Sequence, residues 1–244
     1  MDKSFMNPKI SIIIPAYNEE KYLKLALESV ERQTFDHNLL EVIVVNNASN
    51  DGTPEVFTSF LGKNTVKMIL LEEPVLGVSR AKNKGVMHAL GEVLIFLDAD
   101  SQMSENLTEV VNSYYERGFP AGIIKLIADT PDLWGRFFFD LIDFGKRVFR
   151  IKAQMGYCSK KIFWEAGGFD PQLKHAEDLA FFTKVDWILR KKGKSFSYIK
   201  EAWILTSTRR MDRLPFHLGY PLVMMEWLFG GLLGLRRKSY RPIR

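Results

Sequence analysis

Four short apolar runs punctuate the first hundred residues: 10–14 (ISIII), 41–45 (EVIVV), 66–71 (VKMILL) and 93–97 (VLIFL). Between them, near 19–33, 54–61 and 77–90, apolar positions recur at helical spacing. Strands apolar on both faces, alternating with helices, predict a mostly parallel sheet covered on both sides. Ligands of such sheets bind beyond the carboxyl ends of the strands. Those ends read PAYNEE (15–20), NNASND (46–51) and DADS (98–101), all small, polar or acidic, so a site is expected there.

After residue 101 the pattern loosens. Residues 121–128 read as a strand, 155–170 (MGYCSKKIFWEAGGFD) as a strand, a short helix and a Gly-Gly turn, and 177–193 as an amphipathic helix ending at Gly193. SFSYI (195–199) and AWILTS (202–207) are predicted to be a closing pair of strands. The irregular connections divide 1–212 into a regular first half (about 9–100) and a looser second half (101–212). Residues 213–244 form a separate apolar and basic tail.

The 244 residues are 46% hydrophobic and 26% charged, ordinary for a folded domain. A net charge of +5 is too mild to argue for nucleic acid. The single cysteine, Cys158, excludes an internal disulfide and a cysteine-built zinc site. The N-terminal run ISIII is too short for a secretory signal, so a cytoplasmic location is expected.

The run LIFLDADS (94–101) carries an apolar strand straight into two acids. Residues i and i+2 of a strand share one side, about 6.5–7 Å apart, so Asp98 and Asp100 are expected to face one site across Ala99. Two carboxylates that close need a cation or several donors between them. The plainer reading is a strand meeting solvent and capping the next helix.

SIIIPAYNEE, VIVVNNASNDGT, VLIFLDADS and GGFDPQLKHAEDLAFF, in this order and spacing over about residues 9–190, resemble family 2 glycosyltransferases of the GT-A fold. The resemblance implies a nucleotide-diphosphate sugar donor, a divalent cation (Mn²⁺ or Mg²⁺) and an inverting transfer. Pro15, Ala16 and Tyr17 then lie where the nucleoside is held, with Glu19 opening the next helix. Asp98, beside Ala99, helps seat the ribose or the metal shell, and Asp100 binds the cation. Asp178 is the base that takes the acceptor's proton, with Glu177 as its hydrogen-bonding partner. Gly167, Gly168 and Asp170 shape the turn before it.

The chain departs from the family pattern at two places. Asn46 and Asn47 stand where many relatives carry an Asp-Asp pair; an amide can still accept from and donate to a nucleobase. Lys82 stands where many carry arginine, giving a phosphate a point charge rather than a bidentate fork. UDP is the favoured nucleotide, with GDP or another open. TSTRR (206–210) could bring Arg209 and Arg210 to the diphosphate, and His175 or His217 could add a metal ligand.

Two stretches suggest a membrane. In 133–151 the charges of Arg136, Asp140, Asp143, Arg147 and Arg150 form one narrow stripe on an otherwise apolar helix. Residues 221–235 are apolar except for Glu226, short of a span, and RRKSYRPIR follows with five Lys or Arg in nine. The expectation is a peripheral enzyme on an anionic inner membrane face, with a lipid-linked or glycan acceptor. The rival readings are a nucleotidyltransferase acting on sugar phosphates and a binding module without catalysis.

Overall fold

The computed structural model describes residues 7–209 except 63, 153, 174 and 208. Its first half alternates as expected: β1 (Ile10–Ala16), α1 (Leu23–Glu31), β2 (Leu40–Asn46), α2 (Thr53–Phe60), β3 (Lys67–Glu72), α3 (Val78–His88) and β4 (Val93–Phe96). The second half comprises β5 (Ser101–Met103), α4 (Leu107–Glu116), β6 (Ala121–Asp129), α5 (Leu133–Val148), β7 (Gly156–Ser159), α6 (Lys160–Ala166), α7 (Glu177–Lys191) and β8 (Ser197–Ser207). All eight strands join one sheet in the order β3-β2-β1-β4-β7-β6-β8-β5.

The strands β3, β2, β1 and β4 are parallel, as their two-sided burial predicts. Alternation sends Ile10, Ile12 and Ile14 to one face, with Leu23, Leu27 and Val30 of α1, and Ile13 to the other, with Ala81 and Val86 of α3. Chain order reverses direction between β1 and β4. There the sheet opens, because β4 pairs with β1 only as far as Ile13 opposite Phe96. Pro15, which has no N–H to donate, lies just past that last pair and so leaves no bond with β4 unmade.

The second half differs from expectation at its end. Residues 195–199 and 202–207 are not two strands: β8 is continuous, with a bulge where Ile124 pairs with Ile199 but Lys125 pairs with Trp203. The polar Lys200 and Glu201 fall in that bulge, which is why the apolar pattern breaks there. The three-residue β5 is too short to read from sequence, and the amphipathic α4 was not expected either.

β5 forces the sheet to curl. It lies four strand positions from β4, about 19 Å in a flat sheet. The link from Phe96 to Ser101 can reach at most about 18 Å fully stretched, and it contains a turn closed by Ser101 N–H donating to Asp98 O. The far edge therefore bends back beside the end of β4, and Ser101 pairs with Thr206. The end of β8 arrives next to the two acids.

At the opposite end of the sheet, the Glu41 carboxylate is fully buried and ties three segments together. It accepts from Ser11 Oγ at 2.6 Å, Leu90 N at 2.6 Å and Gly91 N at 3.3 Å. A Cβ on Gly91 would stand 2.6 Å from Ser11 N, so only glycine allows this approach. Glu41→Ala strands the Ser11 hydroxyl hydrogen and the Leu90 N–H, while Gly91 N–H keeps Ser11 Oγ at 2.8 Å, and is expected to cost about 2–4 kcal/mol by denaturant unfolding.

Candidate active site

The strand that leads into DADS ends at Phe96, and a turn over 98–101 breaks its period before Asp100. Asp98 lies in the field of Lys82 and Asp178, and Asp100 pairs with Arg209 just past β8. Two cations pair with the acids of this region.

The first cation is Lys82. It is almost fully buried on α3, and its ammonium donates to Asp178 Oδ1 at 2.8 Å and Glu177 Oε1 at 3.2 Å. Burial opposes its charge, but Asp178, Glu177 and Asp98 together hold its pKa above the ordinary lysine value. Burial pushes the Asp178 carboxyl up to about 6; Lys82 pulls it down, while Glu177 and Asp98 push it further up. The α7 N-terminus, whose dipole favours negative charge, carries both acids in its first turn.

The Gly-Gly turn is fastened to the same helix. Asn83 Nδ2 donates to Phe169 O at 2.8 Å, and Phe169 N donates to Asn83 Oδ1 at 2.9 Å. The Phe169 ring packs on Phe96 and Phe181, with centroids 4.9 Å and 4.2 Å away, and the Lys82 ammonium lies 5.0 Å above it. Gly167 closes α6 at φ +76°, and Gly168 follows at φ +72°, both left-handed positions that favour glycine. Thus α3 sets both the turn and the carboxylates that follow it.

The second cation is Arg209. Its Nη2 lies 3.0 Å from Asp100 Oδ2 and is also hydrogen-bonded to Glu19 Oε1, while its guanidinium stacks 4.5 Å from the Tyr22 ring. Glu19 is itself placed by its N–H donating to Thr53 Oγ1 at 2.8 Å. Lys82 thus pairs with Glu177 and Asp178, with Asp98 in its field, and Arg209 pairs with Glu19 and Asp100. A diphosphate entering beside Asp100 would meet two carboxylates against one guanidinium. A divalent cation fits that deficit: Asp100 offers a hard oxygen ligand at a place that already holds a positive charge. Among the described residues no group of three or more His, Cys, Asp or Glu forms a metal cage, so phosphate oxygens or water would have to complete the shell.

The other expected residues fall as follows. Pro15 and Tyr17 are half-buried at the end of β1, with Ala16 and Ala99 fully buried behind them. Asn47 commits its whole amide to the chain: Nδ2 donates to Glu73 O and Val75 O, and Oδ1 accepts from Gly77 N at 2.7 Å. Asn46 Nδ2 donates to Glu72 and its Oδ1 accepts from Ser49 N. In this geometry both asparagines shape the loops beyond β2 and β3, and neither offers its amide freely. His175 is exposed; Arg210 and His217 lie outside the described residues.

Asn83 and Lys146 were missed. A sequence signal existed for Asn83, one residue after Lys82 in GVSRAKNKG, but nothing local announced its partner 86 residues away. Lys146 sits on α5 with its ammonium 3.3 Å from Gln154 Oε1; burial lowers its pKa to about 8 against the pull of Asp143 and Asp178.

The glycosyl transferase family 2 profile matches residues 11–164, and the chain belongs to that family. It is 39% identical over 93 residues to the glycosyltransferase AglE of Haloferax volcanii, a match covering 38% of this chain and 31% of that protein. It is 33% identical over 97 residues to the poly(ribitol-phosphate) beta-N-acetylglucosaminyltransferase TarS of Staphylococcus aureus, covering 40% of this chain and 17% of TarS. The matched segment is thus a third or less of either relative. The mannosyltransferase PcManGT of Pyrobaculum calidifontis, solved with GDP-Man and Mn²⁺, superposes with a TM-score of 0.71 at 21% identity, over 97% of this chain and 66% of that one. S. aureus TarS 1–349 with UDP-GlcNAc gives 0.67 at 21%, over 82% and 59%. These likenesses establish a GT-A-like mixed α/β fold with a curled sheet.

The charge arrangement fixes a pH response. Asp178 is expected to titrate near 6, and Lys82→Met, which removes the group pulling it down, is expected to move that titration upward. Carbon-13 NMR of labelled aspartate carboxyls, compared with Asp178→Asn for assignment, reads both values.

Proposed function

We propose that the chain is a metal-dependent, inverting glycosyltransferase that moves a sugar from a nucleoside-diphosphate donor to a membrane-proximal acceptor. The observation that carries this reading is Asp178: a half-buried carboxylate bonded to Lys82 and lifted to about 6, with a second acid cluster suited to a cation and a diphosphate. Near neutral pH it is ionised yet basic enough to accept a proton as the bond forms. In a single displacement the acceptor oxygen attacks the anomeric carbon, the bond to the nucleoside diphosphate breaks, and the hydroxyl proton passes to Asp178.

The donor half of the proposal uses Pro15, Ala16, Tyr17 and Glu19 around the nucleoside, with the Asn47-braced loop as its wall. Asp98 helps seat the ribose or the metal shell. Asp100 would hold Mn²⁺ or Mg²⁺; such a cation, when bound, neutralises charge on the departing diphosphate. Arg209, and Arg210 beyond it, then become available to the phosphates, while Lys82 keeps Asp178 ionised. UDP is the proposed nucleotide, and residues 101–212 the acceptor half. A non-catalytic module has no use for a basic carboxylate in the acceptor position. A nucleotidyltransferase would need a Gly-rich basic loop after β1, where this chain has PAYNEE.

An acceptor at the inner face of a membrane, lipid-linked or a nearby glycan, follows from the apolar and basic tail together with α5. Two experiments test the reading. Purified protein incubated with UDP-, GDP- and dTDP-sugars is expected to release one nucleoside diphosphate only when Mn²⁺ or Mg²⁺ is present. Asp100→Ala is expected to lower that release about 100-fold or more. Release without metal, or unchanged release by the variant, overturns the assignment. For a hydroxyl acceptor, Asp178→Asn is expected to lower kcat about 100- to 10,000-fold. A lipid-phosphate acceptor, already ionised, would be nearly insensitive, so the size of the loss identifies the acceptor's chemistry.

A further inference from the structure

Helix α5 lies beside β6, with Phe139 and Ile142 half-buried. Leu133, Phe137, Leu141, Phe144 and Val148 recur at spacings of four, four, three and four, so at about 100° per residue they form one stripe on the outward side. They are between 52% and 76% exposed, and Phe149 just beyond is 76% exposed. A row of large apolar groups over four turns of one helix is more than scattered surface hydrophobics supply.

Of the acids near this stripe, Asp143 is buried, accepts from Tyr198 Oη and pairs with Arg147 at 3.6 Å, while Asp140 stays exposed 3.9 Å from Lys125. Lys146 and Lys152 turn to Gln154 and Asp186, which leaves Arg136, Arg147 and Arg150 exposed along the helix and its end against Asp140. The helix also starts beside the point where the chain leaves the sheet, since Asp129 pairs with Ser207. Beyond that point the sequence continues with the apolar 221–235 and the five basic residues of 236–244.

We propose that the outward face of α5 is a docking surface for an anionic bilayer, on which the stripe inserts at headgroup depth while the arginines beside it meet lipid phosphates. Helix α5 starts beyond the end of β6, at the same end of the sheet as Asp100, so docking on its outward face would bring the site to the bilayer surface. Lys146 of this helix also lies within the field of Asp178. The proposal rests on a membrane-proximal acceptor but names a different surface, and its failure is separable from failure of the activity.

The test uses the full chain. Its one cysteine, Cys158, is fully buried, so Phe144→Cys or Leu141→Cys can be labelled alone with an environment-sensitive fluorophore. Thr58→Cys on α2, far across the sheet, is the reference. Vesicles of equal parts phosphatidylcholine and phosphatidylglycerol are expected to blue-shift the probes on α5 but not at 58. Phosphatidylcholine alone is expected to shift them several-fold less. A Phe137→Glu/Phe144→Glu chain is expected to lose at least about tenfold in vesicle partitioning while retaining donor hydrolysis in detergent. Co-sedimentation with vesicles without any shift at 141 or 144 overturns the proposal, because the tail alone would then hold the membrane. A shift that follows protein concentration without vesicles overturns it in favour of a second copy on this face. Donor hydrolysis by the same proteins reports separately on the enzyme.

Discussion

The buried ammonium of Lys82 is the interaction on which the catalytic half depends. It holds two adjacent carboxylates at the start of α7 within hydrogen-bond reach and lies within the field of a third at the end of β4. A charge so buried is stable only with partners, and the partners tolerate one another only with the charge between them. The consequence is chemical as well as structural. Without Lys82 the carboxyl of Asp178 would be protonated further toward neutral pH; with it, the group stays ionised and still basic. Arginine at this position would bring a larger, planar fork to the same pocket. Lysine supplies a compact charge that two neighbouring acids can share.

The second constraint is the curl of the sheet. A short link between β4 and the distant edge strand β5 obliges the sheet to bend until the end of β8 meets the turn of DADS. That geometry delivers Arg209 to Asp100 and Glu19, from a point more than a hundred residues further along the chain. Asp100 thereby joins a charge cluster organised by β8, while Asp98 lies in the field of Lys82 on α3.

The first half of the fold was legible because its strands are buried on both faces and its helices are amphipathic, so each local signal agrees with the sheet. Asp98, Asp100 and Asp178 stood out because carboxylates at strand and helix ends are conspicuous there. What local sequence could not carry was distance. The Asn83 clamp on Phe169 and the Arg209 bridge join residues remote in sequence, and the expectation that Asp98 and Asp100 face together assumed that the strand period runs on to residue 100, whereas β4 ends at Phe96. The continuous β8 was split in the reading because its bulge interrupts the apolar pattern. Arg210, His217 and the tail fall outside the described residues.

The account's central claim is that excess carboxylate makes diphosphate binding depend on an added cation. The most direct measurement is the affinity of UDP for the full chain by calorimetry, with and without saturating Mn²⁺, paired with the affinity of Mn²⁺ with and without UDP. Linkage requires the two enhancements to be equal, and the account expects each to be about tenfold or more, with both abolished in Asp100→Ala. UDP binding of equal strength with and without metal, in the wild-type protein, would contradict it.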